Sequence, residues 1–202
     1  MRHRIFIAIN LPEDIKEKLF SYQGKIEELF TPYRPDEVGT GSGPCRWTKK
    51  ENLHITMAFL GYLTDEELVE VCKITKEVAL KYEPFYIKLN RIIYGPQNAS
   101  PRMVWAEGEK SEELGKLQRD LENALASSEA LAKEDSETRP YAPHITLGRL
   151  QQWEFRQIEP EERPEVNEEI NLSFEVNSVE VVESELKRGG PEYSILESMP
   201  LG

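Results

Sequence analysis

Two periods of apolar residues alternate along the chain, and their order predicts the fold. Residues 4–10 are rich in Ile and Phe and read as a buried strand, after which Asn10-Leu11-Pro12 opens a helix with proline in its first turn. Ile15, Leu19, Tyr22, Ile26 and Leu29 recur at three- and four-residue steps, which predicts an amphipathic helix over about 12–30 that Pro32 ends. Residues 31–44 contain Pro32, Pro35, Gly39, Gly41, Gly43 and Pro44 and almost nothing apolar; a mobile surface loop is expected there. Residues 53–60 read as a strand closed by Gly61, and Thr64-Asp65-Glu66-Glu67 supplies a capping box for a helix running to about Tyr82. Residues 85–94 and 103–106 read as a hairpin turning near Gly95-Pro96. Ser111 caps a third helix with the stripe Leu114, Leu117, Leu121 and Leu125, and polar residues 127–140 follow as a second loop. Residues 143–147 form a strand, 151–169 a Glu- and Pro-rich loop, and 171–183 and 193–196 late strands turning at Gly189-Gly190. The tally predicts an α+β, mostly antiparallel fold.

One pattern is written twice. His54-Ile55-Thr56-Met57 and His144-Ile145-Thr146-Leu147 lie 90 positions apart, each on a predicted strand after a polar stretch. Side chains alternate along a strand, so each motif offers one imidazole and one hydroxyl to a common face and anchors its apolar pair behind. If a pseudo-twofold relates the two strands, the histidines confront each other across a cleft with the threonines beside them. Two imidazoles with ordinary pKa values near 6.5 suit a displacement that removes one proton and donates another. Hydroxyls and a nearby cation suit the oxygens of a phosphorus centre as charge builds. Gly39-Thr40-Gly41-Ser42-Gly43 has no following Lys and is not a phosphate-cradling loop.

Composition narrows the class. At 202 residues and 39% hydrophobic, the chain suits one buried domain, and no apolar run approaches the length of a membrane span. The opening Met1-Arg2-His3-Arg4 runs straight into the first strand with no signal-peptide core, so a cytoplasmic protein is expected. Thirty-seven acidic against 25 basic residues give a net charge of −12, the wrong sign for a long non-specific nucleic-acid footprint. Cys45 and Cys72 cannot build a disulfide framework and are expected to pack as small hydrophobes, and the three histidines show no zinc spacing.

Arg46-Trp47 followed by Glu51-Asn52-Leu53-His54-Ile55-Thr56-Met57-Ala58-Phe59-Leu60-Gly61, then Tyr141-Ala142-Pro143-His144-Ile145-Thr146-Leu147-Gly148-Arg149, resembles the two-histidine (2H) phosphoesterase superfamily. The match is to its LigT/ThpR branch, the RNA 2',3'-cyclic phosphodiesterases, historically called 2'-5' RNA ligases. The opening Ile-Phe-Ile-Ala-Ile-Asn-Leu-Pro resembles the family's first strand, and residues 189–196 its last hairpin. The resemblance implies one domain over 1–202 made of two pseudo-twofold lobes: a bilobal, duplicated fold with two antiparallel sheets and outer helices around a central cleft. It implies hydrolysis of a terminal 2',3'-cyclic phosphate to a 2'-phosphate with no metal or cofactor, and reversible 2'-5' joining as a side activity. Carried over, His144 is the base, His54 the acid, Thr56 and Thr146 hold phosphate oxygens, and Arg149 falls at the family's basic position after the second motif. Arg149 has odd parity relative to His144, so it reaches the cleft only if the strand twists or ends near Gly148. Trp47 and Tyr141 flank the motifs and are placed to stack a base. The acidic balance confines substrate contact to a positive cleft mouth drawn from Arg46, Lys49, Lys50, Arg102, Arg139 and Arg149, which favours RNA ends or small cyclic nucleotides as substrates. A monomer with no membrane partner is expected. A small cyclic phosphate such as one derived from ADP-ribose is the alternative substrate, and a nucleotide-binding module without catalysis the alternative class.

Overall fold

β1 (His3–Asn10) buries Ile5 through Ile9 in an unbroken run, the pattern of a strand covered on both faces. The computed structural model, which describes residues 2–33, 43–97, 99–128, 143–188 and 190–202, shows what covers it. β1 lies between β3 (His54–Leu63) and β8 (Ser178–Lys187), antiparallel to both. On one face Ile5, Ile7 and Ile9 join the main core; on the other Phe6 and Ala8 pack with Val182 and Tyr193. The remaining strands are β2 (Cys45–Trp47), β4 (Phe85–Gly95), β5 (Met103–Gly108), β6 (His144–Leu150), β7 (Asn167–Val176) and β9 (Gly190–Pro200). Eight of the nine strands among the described residues run in the order β7-β4-β5-β6-β3-β1-β8-β9, with β2 paired to β6 beside this path. Read outward from the β3–β6 seam, each half is four strands deep. The first lobe comprises β3, β1, β8 and β9, and the second β6, β5, β4 and β7. The two antiparallel sheets expected from the resemblance are thus joined along this seam into one, because Ile55 and Ile145 pair across it.

The helices form where the sequence periodicity places them. α1 (Glu13–Phe30) buries Ile15, Leu19, Ile26 and Phe30, and the Pro12 carbonyl accepts from the Ile15 and Lys16 amides. α2 (Asp65–Ala79) opens on a complete capping box: Glu67 N donates to Thr64 Oγ1 at 3.3 Å, and Thr64 N to Glu67 Oε2 at 2.6 Å. α3 (Glu112–Ala126) starts with Leu114 N donating to Ser111 Oγ and buries its whole leucine stripe. α1, which follows β1 of the first lobe, packs against β2 and β6; α3, which follows β5 of the second lobe, packs against β3. The second lobe is therefore backed by α1 from the first, while the first is backed mainly by its own α2, with α3 crossing over to β3.

Three expectations change. The stretch 151–169 contains a short helix, α4 (Gln152–Gln157), anchored by buried Phe155. The alternation over 171–183 conceals a reversal at Asn177, where β7 ends and β8 begins without glycine or proline to mark it. α2 ends at Ala79 rather than near Tyr82. Most of the loop expected over 31–44, and most of that over 127–140, lies outside the described residues, although Thr31–Tyr33 form a 3-10 turn.

Cys45 is buried, and burial pushes its thiol up to about 12; Cys72 is half-buried against the core. His3, the histidine outside the motifs, ties three elements together: Nδ1 lies 2.7 Å from Glu183 Oε1 and Nε2 2.8 Å from Asp65 Oδ1. Those hydrogen bonds, Glu183 first, raise its pKa. No helix among the described residues is long and apolar enough to cross a membrane.

Candidate active site

The two motifs meet at a single cross-strand pair, Ile55 opposite Ile145, in antiparallel register. Stepping one residue either way brings His54 toward Thr146 and Thr56 toward His144 on the face opposite the two buried isoleucines. All four side chains line one cleft of about 580 Å³, within the usual range for sites that hold small molecules. The duplication extends to the backbone. β3 pairs with β1 as Ala8 with Thr56 but Ile7 with Ala58, skipping Met57; β6 pairs with β5 as Trp105 with Thr146 but Val104 with Gly148, skipping Leu147. Each motif therefore carries a β-bulge at its fourth residue.

The bulge settles where Arg149 points. An extra residue inverts the alternation beyond it, so Arg149 regains the face of His144 and Thr146 and lines the cleft. The equivalent position after the first motif, Phe59, also lines the cleft and is 69% exposed. The asymmetry is chemical: a guanidinium on one lobe takes the place that a phenyl ring holds on the other.

His54 is held from several sides. The 3-10 turn Lys50–Asn52 delivers the chain into β3, and the Asn52 carbonyl lies 2.7 Å from His54 Nδ1. A carbonyl only accepts, so the proton sits on Nδ1 and, in the neutral ring, Nε2 is an acceptor 3.0 Å from Thr56 Oγ1. Buried Asn52 itself donates through Nδ2 to the Pro191 carbonyl at 2.9 Å, linking this turn to β9. Phe6 and Tyr193 pack against the imidazole at centroid distances of 4.9 and 5.4 Å. Burial lowers the pKa of His54; the Asn52 hydrogen bond opposes that shift, while Lys16, Arg149 and His144 add to it.

His144 has a different environment. Its ring stacks on Trp105 at 3.9 Å with 27° between the planes. Trp105 in turn lies over Gly95, where a Cβ would come within 2.1 Å of the indole, and donates from Nε1 to Met103 Sδ at 3.4 Å. The same sulfur contacts Arg149 Nη1 at 3.6 Å and Thr146 Oγ1 at 3.9 Å. A thioether is a weak acceptor, so these two donors are oriented without being strongly engaged.

Of the remaining sequence candidates, Trp47 lines the cleft while its ring meets Phe30 edge-on at 5.7 Å, and Tyr141 lies outside the described residues. Among the cations expected at the mouth, Arg46, Lys49 and Arg149 line the cleft. Lys50 instead turns to Glu13 at 2.5 Å, Arg102 is not part of the lining, and Arg139 lies outside the described residues. Arg4, Phe6, Phe59, Trp105 and Tyr193 escaped the sequence reading. For Phe6 and Trp105 the signal was parity: each shares a strand face with a residue paired to a motif threonine, or is that residue.

The model of the 2'-5' RNA ligase superfamily matches residues 26–188, which span both motifs. The chain belongs to that superfamily. Among similar proteins, an RNA 2',3'-cyclic phosphodiesterase of Thermus thermophilus is 30% identical over 203 residues, covering 98% of this chain and 90% of its own. One from Methanocaldococcus jannaschii is 28% identical over 195 residues, covering 96% and 98% respectively. In three dimensions the chain superposes on the crystal structure of TT0787 of Thermus thermophilus with a TM-score of 0.76 and 28% identity, covering 98% of this chain and 97% of that one. Escherichia coli LigT complexed with 3'-AMP shares the superfamily fold, with a TM-score of 0.70 and 24% identity over 100% of this chain and 99% of its own.

Proposed function

We propose that this chain hydrolyses the 2',3'-cyclic phosphate at the end of an RNA to a 2'-phosphate, by paired acid and base catalysis from His54 and His144 without a metal. The observation that carries this reading is the seam register, which gives one cleft two imidazoles and two hydroxyls around a single buried isoleucine pair. The relatives named RNA 2',3'-cyclic phosphodiesterase support the substrate. The unit is one domain over 1–202, two lobes related by a pseudo-twofold and working as a monomer in the cytoplasm; the mirrored strand order supports the duplication.

One histidine takes a proton from water as the water oxygen bonds to phosphorus. The other protonates O3' as the P–O3' bond breaks, leaving the phosphate on O2'. Thr56 and Thr146 hydroxyls and the Arg149 guanidinium donate to the non-bridging oxygens as charge builds on them. A 5'-hydroxyl in place of water gives a 2'-5' linkage, so joining follows from the same groups.

The resting site favours His54 as the base. Its Nδ1 proton is committed to the Asn52 carbonyl, and its Nε2 carries none. Serving as the acid would need a second proton, which burial, and then the charges of Lys16 and Arg149, oppose. His144 is then the acid, the reverse of the assignment implied by the resemblance. A base must be unprotonated, and the pKa of His54 is depressed from 6.5, so the acidic limb of kcat/KM should fall below pH 6.5. A pH–rate profile whose acidic limb lies above that value overturns the assignment.

The decisive assay incubates the protein, in chelator, with an oligonucleotide ending in a 2',3'-cyclic phosphate. Complete conversion to the 2'-phosphate, read by phosphorus NMR, is expected. Unchanged substrate, a 3'-phosphate product or activity abolished by the chelator overturns the proposal. The net charge of −12 also suits a small cyclic phosphate, and equal or better turnover of ADP-ribose cyclic phosphate would shift the substrate class while leaving the site intact.

A further inference from the structure

Arg46 of β2 and Arg149 of β6 are direct cross-strand partners, and both side chains line the cleft. Like charges directly opposite each other destabilise a sheet. Anionic side chains are not scarce in the chain, which holds 37 acidic against 25 basic residues, yet none of the described ones forms an ion pair with these two arginines. Arg149 belongs to the second motif's reaction centre, whereas Arg46, expected at the cleft mouth, has no specific ligand group assigned to it.

The surroundings of Arg46 are shaped to it. Its guanidinium lies over Gly190 at the start of β9, where a Cβ would approach Nη2 to 3.1 Å, and Gly190 has φ +105°, a conformation that side-chain-bearing residues rarely adopt. A third guanidinium faces the same cleft. Arg4 shares the strand face of Phe6 and Ala8, lines the cleft, and donates only to Ser184 Oγ at 3.3 Å among the described residues. It stands four residues along β1 from Ala8, the partner of Thr56, or ~13 Å at ~3.3 Å per residue. Its backbone is therefore displaced along the cleft from the histidines. Lys49 lines the cleft too, and Glu192, paired to Lys187, feels its charge.

We propose that Arg46 and Arg4 form a second anion subsite, which takes the phosphate on O5' of the nucleotide whose cyclic phosphate lies at the histidines. Guanidinium groups suit phosphate because their N–H forks match its oxygens in pairs. The inference rests on the hydrolase reading and extends it: the substrate class is a cyclic-ended nucleotide that carries a second phosphate on its 5' side. That phosphate is either a 5'-terminal monophosphate or the internucleotide diester of a longer strand.

Isothermal titration with product-form ligands tests this without turnover. The probes are uridine 2'-phosphate, uridine 2',5'-bisphosphate and the dinucleotide UpU bearing a 2'-phosphate. The wild-type chain should bind the latter two about tenfold more tightly than the first, a difference of the size expected for one charge-assisted contact. Arg46→Gln and Arg4→Gln should each bring that ratio toward one, with thermal melting used to show that both variants fold. Tightening by both ligands supports a subsite for any 5' phosphate; tightening by the dinucleotide alone supports one for the diester. Equal affinities for all three ligands in the wild type, absence of binding, or a ratio that survives both substitutions overturns the subsite. Failure of the hydrolase reading is seen separately, as a cyclic-ended oligonucleotide left intact.

Discussion

Replacing His144 with alanine is expected to lower kcat by about two to four orders of magnitude, the usual contribution of a positioned acid or base. His144 is half-buried, stacks on Trp105 and lies outside the buried hydrophobic core, so its removal leaves that core intact. The unfolding midpoint should accordingly stay close to that of the wild type. His54→Ala should lose a similar factor in rate, with some loss of stability because the ring packs against Phe6 and Tyr193. The double variant should be little worse than either single one, since groups that act as a unit do not lose activity additively. Kinetics on a cyclic-ended oligonucleotide check all three. If His144→Ala retained most of its rate, the paired mechanism would be wrong.

The second large effect concerns the seam. Ile55 and Ile145 are 1% and 0% exposed and form the cross-strand pair between β3 and β6. Ile145→Ala should therefore cost about 2–5 kcal/mol, as for other buried Ile-to-Ala truncations. For a domain of this size that lowers the melting temperature by ~4–20 °C. Activity per folded molecule should fall as well, because the same pair sets the spacing of the two imidazoles. Thermal and urea unfolding measure the first effect, and rates at a temperature where the variant is folded measure the second. A loss under about 1 kcal/mol would mean that contacts elsewhere hold the lobes in register.

Much of this site was legible in the sequence because its information is local. A four-residue pattern on a strand states which side chains share a face, and its repetition states that two such faces exist. The capping box at Thr64 and the leucine stripe from Leu114 to Leu125 were readable for the same reason. What failed depends on contacts between distant residues. The bulges at Met57 and Leu147 are defined by partner strands, so the parity of Arg149 looked unfavourable until β5 was in place. Trp105 resembled an ordinary strand aromatic, since nothing near it indicates that His144 will lie on its face. Tyr193 and Asn52 meet His54 from segments about 140 residues apart, as the Asn52–Pro191 hydrogen bond records. The reversal at Asn177 was hidden because apolar alternation continues through it.

The strand order also has a consequence for biosynthesis. β1 is made some 170 positions before its neighbour β8, and the whole second lobe is threaded between them. A nascent chain leaving the ribosome therefore carries Ile5 through Ile9 with one edge unsealed until β8 has been made. Pairings this distant in sequence are slow to form and prone to intermolecular capture. Production of this protein at high concentration will be limited by the interval before β8 and β9 emerge, and holdase chaperones acting in that interval should raise the yield.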